Sequence, residues 1–144
     1  YQSEAEALIL SFLGRSTFKP AAYRELFEIV YTSATFGKVI IVGRAGACIT
    51  RALPQGVHIR LVASEEGRIK RLNLDQQSLS NAESRRILQK NDRDRAQLVK
   101  RYFNQDIEDP LLYDSTWNTD CVPFKEIARS TILLIKSRCD QTDV

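Results

Sequence analysis

Val39-Ile40-Ile41-Val42 is a continuous β-branched run that ends abruptly at Gly43-Arg44. An apolar run with no polar alternation fits a strand covered on both faces, which is the condition of strands in parallel α/β sheets. In such sheets ligands collect beyond the carboxyl ends of the strands. A glycine there lets another group approach the backbone closely, and an arginine supplies a planar fork that matches two phosphate oxygens. Gly43 and Arg44 are therefore candidate substrate-binding residues for an anion, phosphate first. The plain alternative is a surface arginine in a turn, paired with a nearby carboxylate.

The rest of the chain supports the same fold class. Val57 to Ala63 alternates, with Val57, Ile59, Leu61 and Ala63 on one side, and Tyr113 to Asn118 is a weaker third strand. Helical spacing is expected over Ser3 to Phe12, after a Ser3 cap, and again over Ala21 to Phe36, where Leu26, Phe27, Val30 and Tyr31 share a face and Gly37 supplies the C-cap. Gly14 to Pro20 separates these two helices. Ser64-Glu65-Glu66 marks a further helix start, with a cap and two acids where the helix dipole favours them. Asn81 to Asn104 reads as one long helix or two joined ones, and Phe124 to Ser137 follows the helix-starting Pro123. Strands alternating with helices predict a parallel α/β sheet.

At 144 residues, with no repeat or low-complexity linker, the chain reads as a single domain over 1–144. Its parts are a helical N-terminal stretch, 1–36, and a sheet core, 37–138, that carries the helix over 81–104. No stretch approaches the roughly 20 apolar residues of a membrane span. Cys48, Cys121 and Cys139 are scattered and there is a single His, which argues against a zinc site and fits a reducing cytoplasm. The chain begins at Tyr1 and contains no Met, a pattern expected of a fragment of a longer protein.

Net charge is only +3, but its distribution is uneven. Arg68 to Arg101 holds ten Lys/Arg against four Asp/Glu, a net +6 that leaves −3 for everything else. That asymmetry points to a polyanionic partner, a nucleotide or a nucleic acid. Nucleic acid is the weaker fit, because only Tyr102 and Phe103 supply aromatics nearby and the overall charge attracts it little. On the helix over 81–104 the apolar stripe runs Ile87, Leu88, Leu98, Val99, Tyr102 and Phe103, interrupted at Asn91 and Arg95 where charge is densest. Lys90, Asp92, Arg93 and Arg95 turned toward a common space would make a lid over a phosphate group. The competing reading is an intrahelical Asp92–Arg95 ion pair, and the other arginines of the segment read as solvated faces.

Taken in order, Ile40-Ile-Val-Gly-Arg44-Ala-Gly, Val57-His-Ile-Arg-Leu-Val-Ala-Ser-Glu-Glu-Gly-Arg-Ile-Lys-Arg71, Asp92-Arg-Asp-Arg95 with Tyr102-Phe103, Asp109-Pro-Leu-Leu-Tyr-Asp114 and Asn118-Thr-Asp120 resemble the cytidylate-kinase-like family, a branch of the nucleoside-monophosphate kinases. The resemblance covers roughly Tyr23 to Lys136. It implies a three-layer P-loop-kinase-like α/β domain that transfers the γ-phosphoryl of ATP, with Mg²⁺, to CMP or a related pyrimidine monophosphate. It also implies roles: Gly43 and Arg44 on the acceptor phosphate, Asp92, Arg93 and Arg95 as catalytic lid residues, and Asn118 close to the donor adenine. In such chemistry positioning and charge neutralisation dominate. No metal ligand is assigned.

Two features depart from the family. Ala45 follows Arg44 where better-characterised cytidylate kinases place an Asp that helps to read the pyrimidine. The donor-phosphate loop is also missing, since no G-x-x-x-x-G-K-S/T can be written with glycines only at 14, 37, 43, 46, 56 and 67. The fold is thus expected without its first strand and phosphate loop. Its function is either the acceptor half of a kinase or a non-catalytic, kinase-like nucleotide-binding or interaction domain. Sheet surface left open by the missing strand would favour a homodimer or cover by another segment.

Overall fold

The computed structural model describes residues 20–76 and 79–142. The helix expected over Ser3 to Phe12 lies outside them. The described elements run α1 (Pro20–Phe36), α2 (Gly46–Ile49), β1 (Ile59–Val62), α3 (Glu65–Asp75), α4 (Asn81–Phe103), a 3₁₀ turn (Pro110–Leu112), β2 (Ser115–Asn118) and α5 (Phe124–Thr142). β1 and β2 pair in parallel, with Ile59 opposite Ser115 and Val62 opposite Asn118. The parallel α/β expectation is met by this pair, which is the extent of the sheet among the described residues.

Val39 to Val42 departs from expectation. The run joins no ladder among the described residues, and Ile40 and Val42 are 91% and 84% exposed rather than covered. A strand is a property of two backbones, and no described segment pairs with this one. Both flanks also turn sharply, through positive φ at Gly37 and Lys38 before it and at Gly43 to Ala45 after it. The two expected strands that do form are shorter than Val57 to Ala63 and Tyr113 to Asn118. Tyr113 instead ends the 3₁₀ turn that Asp109 caps by accepting from the Leu111 N–H.

Helix ends follow local chemistry. Ser64 caps α3 by accepting from the Gly67 N–H at 3.1 Å, with Glu65 and Glu66 in the first turn. α4 is one uninterrupted helix of 23 residues, opened by a capping box between Ser80 and Glu83 and closed by Asn104 at φ 51. α3 and α4 pack against each other, and Ile69 of the one and Ser84 and Val99 of the other are buried. Ser84 donates to Asn73, whose amide donates to Asn81 at 2.8 Å. At its far end α4 meets α1 through rings: Tyr23 and Tyr102 lie 4.9 Å apart, Phe27 and Phe103 5.2 Å, and Phe27 and Tyr102 5.4 Å edge to face. Val30, Leu112 and Ile127 complete the buried apolar set among the described residues.

Candidate functional site

Gly43, Arg44 and Ala45 are three consecutive residues in the left-handed region, at φ 70, 57 and 54. For the two that carry a Cβ this conformation costs about 1–2 kcal/mol each, and strain of this kind persists where surroundings hold it. What holds it is visible. The Gly46 N–H closes the turn on the Gly43 carbonyl at 2.9 Å, and α2 starts there. Thr50 at its end is buried, donates to the Gly46 carbonyl at 2.8 Å, and lies 2.8 Å from His58 Nε2.

His58 carries the link into the sheet. Its backbone N–H donates to Asp114 Oδ2 at 2.6 Å, its carbonyl accepts from the Asp114 N–H at 2.7 Å, and its Nδ1 lies 3.5 Å from Asp114 Oδ2. Arg138 of α5 pairs with the other Asp114 oxygen and with the Gly56 carbonyl. Burial acts to raise the Asp114 pKa, but the His58 N–H and the Arg138 guanidinium outweigh it and hold the carboxyl below its ordinary value. Thr50, His58 and Asp114 lie in the order of a hydroxyl–imidazole–carboxylate relay. The Thr50 hydroxyl is buried and engaged with the helix carbonyl, which suits a pin better than a nucleophile.

α2 also lines an open cleft of about 390 Å³ between α1 and the end of α4. Its walls include Phe27, Tyr31 and Thr32 of α1, Cys48 and Ile49 of α2, and Phe103, with Arg24 and Glu28 alongside. Burial pushes the Cys48 thiol pKa up, and nearby Arg51 only partly opposes this, so Cys48 is a packing residue rather than a thiolate. The cleft is shallow, and aromatic rings with a few polar groups line it.

The expected lid residues are arranged differently from the sequence pattern. Asp92 lies on the packed side of α4, half-buried, whereas Asn91, Arg93 and Arg95 are exposed. Its carboxylate accepts two hydrogen bonds from Arg68 of α3, each 2.8 Å, and another from Arg95 one turn along. The intrahelical Asp92–Arg95 pair therefore exists, within a larger cluster that spacing along one helix could not reveal. Arg68 holds the Asp92 carboxyl below its ordinary pKa, with Arg95 adding to the effect. Lys90 is turned to Asp94 at 2.5 Å, away from any shared space with Asp92. Arg68, Arg71 and Arg85 are not plain solvated faces: each ties α3 or α4 to a carboxylate elsewhere, Arg71 to Asp120 and Arg85 to Glu65.

Asn118 closes β2, and its Oδ1 accepts from the Asp120 N–H at 3.0 Å. Asp120 in turn accepts from the Ser64 N–H at 2.6 Å, so the ends of β1 and β2 are laced together just before α3 and α5 begin. Tyr113 connects this half to the α2 region. Burial raises its phenol pKa, and the Arg60 guanidinium of β1 and Arg95 of α4 partly oppose this. Its ring also faces the Arg60 guanidinium at 5.9 Å. Among the described residues no three His, Cys, Asp or Glu side chains are grouped to hold a metal ion. No described helix is long and apolar enough to cross a membrane.

No curated protein matches the chain. Among solved structures, a crystal structure of an uncharacterized protein from Eubacterium ventriosum ATCC 27560 superposes with a TM-score of 0.72, covering 83% of this chain and 69% of that one. The two are 19% identical, so the likeness is one of fold. A family profile covers most of the chain, residues 3–121, and takes in the Gly43–Ala45 turn, the α3–α4 pair and the end of β2. On that match the chain belongs to the cytidylate kinase-like family.

Proposed function

We propose that this chain is the acceptor-binding part of a nucleoside-monophosphate kinase, and that Gly43 and Arg44 hold the phosphate of CMP or a related pyrimidine monophosphate. The observation that carries this reading is the left-handed Gly43-Arg44-Ala45 turn, held under strain and leading directly into the helix that lines an aromatic cleft. Backbone strain concentrates where a side chain must be presented in a fixed way. A guanidinium so presented meets a phosphate, and the Phe27, Tyr31 and Phe103 rings of the cleft meet a nucleobase.

In this reading α4 is the lid of a core spanning residues 37–138, and β1 and β2 belong to a three-layer kinase-like sheet. Asp92, Arg93 and Arg95 lie toward the transferring phosphoryl group, and Asn118 toward the donor adenine. Arg95 and Arg93 offset charge on the phosphoryl oxygens, while Arg44 fixes the acceptor for in-line attack. Family membership brings ATP and Mg²⁺ into the reaction. The described residues offer no carboxylate cage for the ion, which in kinases is held largely by the nucleotide phosphates.

The 144 residues contain no phosphate loop, so the donor triphosphate must be held by residues outside them if transfer is to occur. The test is to incubate the chain with ATP, Mg²⁺ and CMP, UMP or AMP, following diphosphate formation and the melting temperature together. The expected result is a melting temperature raised by a monophosphate, with CMP or UMP ahead of AMP, and no turnover. Turnover at ordinary enzymatic rates, or indifference to all three monophosphates, would overturn the reading. A full-length protein that binds CMP but never forms CDP would select the non-catalytic alternative, which the missing loop also favours.

A further inference from the structure

We infer that His58 is a proton-operated clasp and thereby a positioning residue for Arg44. With both ring nitrogens protonated it fastens α2, and the Gly43-Arg44-Ala45 turn that leads into α2, to the entry of the sheet. With one proton lost the fastening slackens. The inference rests on the acceptor-site reading only for what the turn presents; the clasp stands on the geometry around the ring.

Three contacts run in a chain from α2 to the segment before β2. Thr50 Oγ1 meets the Gly46 carbonyl at 2.8 Å and His58 Nε2 at 2.8 Å, and His58 Nδ1 lies 3.5 Å from Asp114 Oδ2. The carbonyl and the carboxylate only accept, so each outer contact draws its hydrogen from the hydroxyl or the ring between them. A neutral ring and a hydroxyl bring two hydrogens to three contacts. If Nε2 is bare, Thr50 must turn its hydrogen away from Gly46 to reach the ring. If Nδ1 is bare, a lone pair faces the Asp114 carboxylate. Only the imidazolium, with an N–H on either side, serves the whole chain.

The surroundings suit such a device. His58 is the single histidine among the 144 residues, and histidine is the side chain whose ordinary charge change falls between about pH 5 and 8. Although burial works to raise the Asp114 pKa, the His58 backbone N–H and Arg138 bring it below its ordinary value, so the carboxylate stays ionised through that range. Arg138 of α5 opposes a second proton on the ring, but it pairs with the Asp114 oxygen on the other side and with the Gly56 carbonyl. From α2, Arg51 follows Thr50 and is exposed, and burial keeps the Cys48 thiol neutral. The His58 side chain is 14% exposed, which shields the Asp114 contact from water more than a surface pair would be. A proton bound more tightly in the clasped state makes the clasp firmer as pH falls and looser as pH rises.

α2 reports the state of the clasp, because four residues do not hold a helical turn unaided. Its Cys48 and Ile49 N–H groups donate to the Ala45 carbonyl at 2.9 and 3.0 Å, and the Thr50 N–H to that of Gly46 at 2.9 Å. The experiment measures amide hydrogen exchange on the chain without ligand at about pH 5.5 and about pH 7.5. Protection is corrected for intrinsic exchange and taken relative to the Val99 amide of α4. The three α2 amides should be about three- to tenfold better protected at the lower pH. That difference should vanish in His58→Gln, which is polar but does not titrate. It should vanish equally in Thr50→Val, which keeps the titrating ring and removes only the hydroxyl link; circular dichroism checks both folds, and either variant suffices. Wild-type protection that is equal at the two pH values or greater at the higher one would overturn the inference, as would a pH difference that survives in a folded variant. No nucleotide takes part, so failure here is separable from failure of the acceptor-site reading.

Discussion

His58 Nε2 and Thr50 Oγ1 lie 2.8 Å apart, and through this contact the helix that follows the Gly43-Arg44-Ala45 turn is fastened to the first strand of the sheet. Thr50 Oγ1 also meets the Gly46 carbonyl at 2.8 Å, so the hydroxyl is held from two sides. Replacing His58 by Ala leaves a buried hydroxyl with one partner fewer. Denaturant unfolding should show a loss of about 1–2 kcal/mol. Nucleotide monophosphate affinity should fall as well, because the turn that presents Arg44 loses its anchor. A stability loss with unchanged affinity would limit His58 to a packing role.

Gly67 is held to glycine by Asp120. A Cβ built on Gly67 would overlap the Asp120 carboxylate, with Cγ at 3.1 Å and Ser64 Oγ at 3.2 Å. Within a helix Gly→Ala ordinarily stabilises by up to about 1 kcal/mol. Here the sign should reverse, to a loss of about 1–3 kcal/mol, because the carboxylate is fastened to the Ser64 N–H and Arg71 and cannot swing away cheaply. Measured in an Asp120→Ala background, the same substitution should become neutral or stabilising. A Gly67→Ala protein as stable as wild type would contradict this account of the α3 start.

Acid should loosen the structure through Asp92 and Asp114. The Arg68 fork lowers the Asp92 pKa. At Asp114 burial works the other way, but the His58 N–H and Arg138 outweigh it and the net shift is also downward. A carboxyl whose folded pKa lies below its unfolded value contributes stability above the unfolded pKa, about 3.9 for Asp, and loses it as pH falls through the folded value. Stability should therefore decline below about pH 4, and Asp92→Asn should flatten that decline, in melting temperature against pH. Equal acid slopes in the two proteins would contradict the Asp92 assignment.

The rings joining α1 to the end of α4 should matter as a group. Phe27 touches Tyr23, Tyr102 and Phe103, with ring centroids 5.2–6.2 Å away. Phe27→Ala should cost about 2–4 kcal/mol and should also remove a wall of the cleft, so that a pyrimidine monophosphate binds more weakly than its bare phosphate contact would suggest. Loss of stability without any change in the preference of CMP over inorganic phosphate would separate the ring cluster from base recognition.

What could be read from the sequence was local. The Ser64 cap with its two acids, the Gly37 stop and the amphipathic face of α1 all state their structure within a few residues, and all appear where expected. The parallel relation of β1 and β2 followed from the helices between them. The run Val39 to Val42 has the composition of a buried strand, but pairing depends on a neighbour that composition does not name, and the run is exposed among the described residues. α4 shows the same limit. Periodicity marked Asn91 and Arg95 as the interruption of its stripe, whereas Asp92 occupies the packed side because Arg68, 24 residues earlier, neutralises it there. His58 and Asp114 lie inside segments that resemble the family, but nothing in those segments pairs them with each other or with Thr50. Their relation exists only once α2, β1 and the segment before β2 are folded together.

The central claim is that Arg44, held in its strained turn, binds the phosphate of a nucleoside monophosphate. Calorimetric titration of CMP into the wild-type chain and into Arg44→Ala tests it most directly. The account predicts measurable CMP binding that weakens at least about tenfold on loss of the guanidinium, with circular dichroism unchanged. Equal CMP affinity in the two proteins would contradict it.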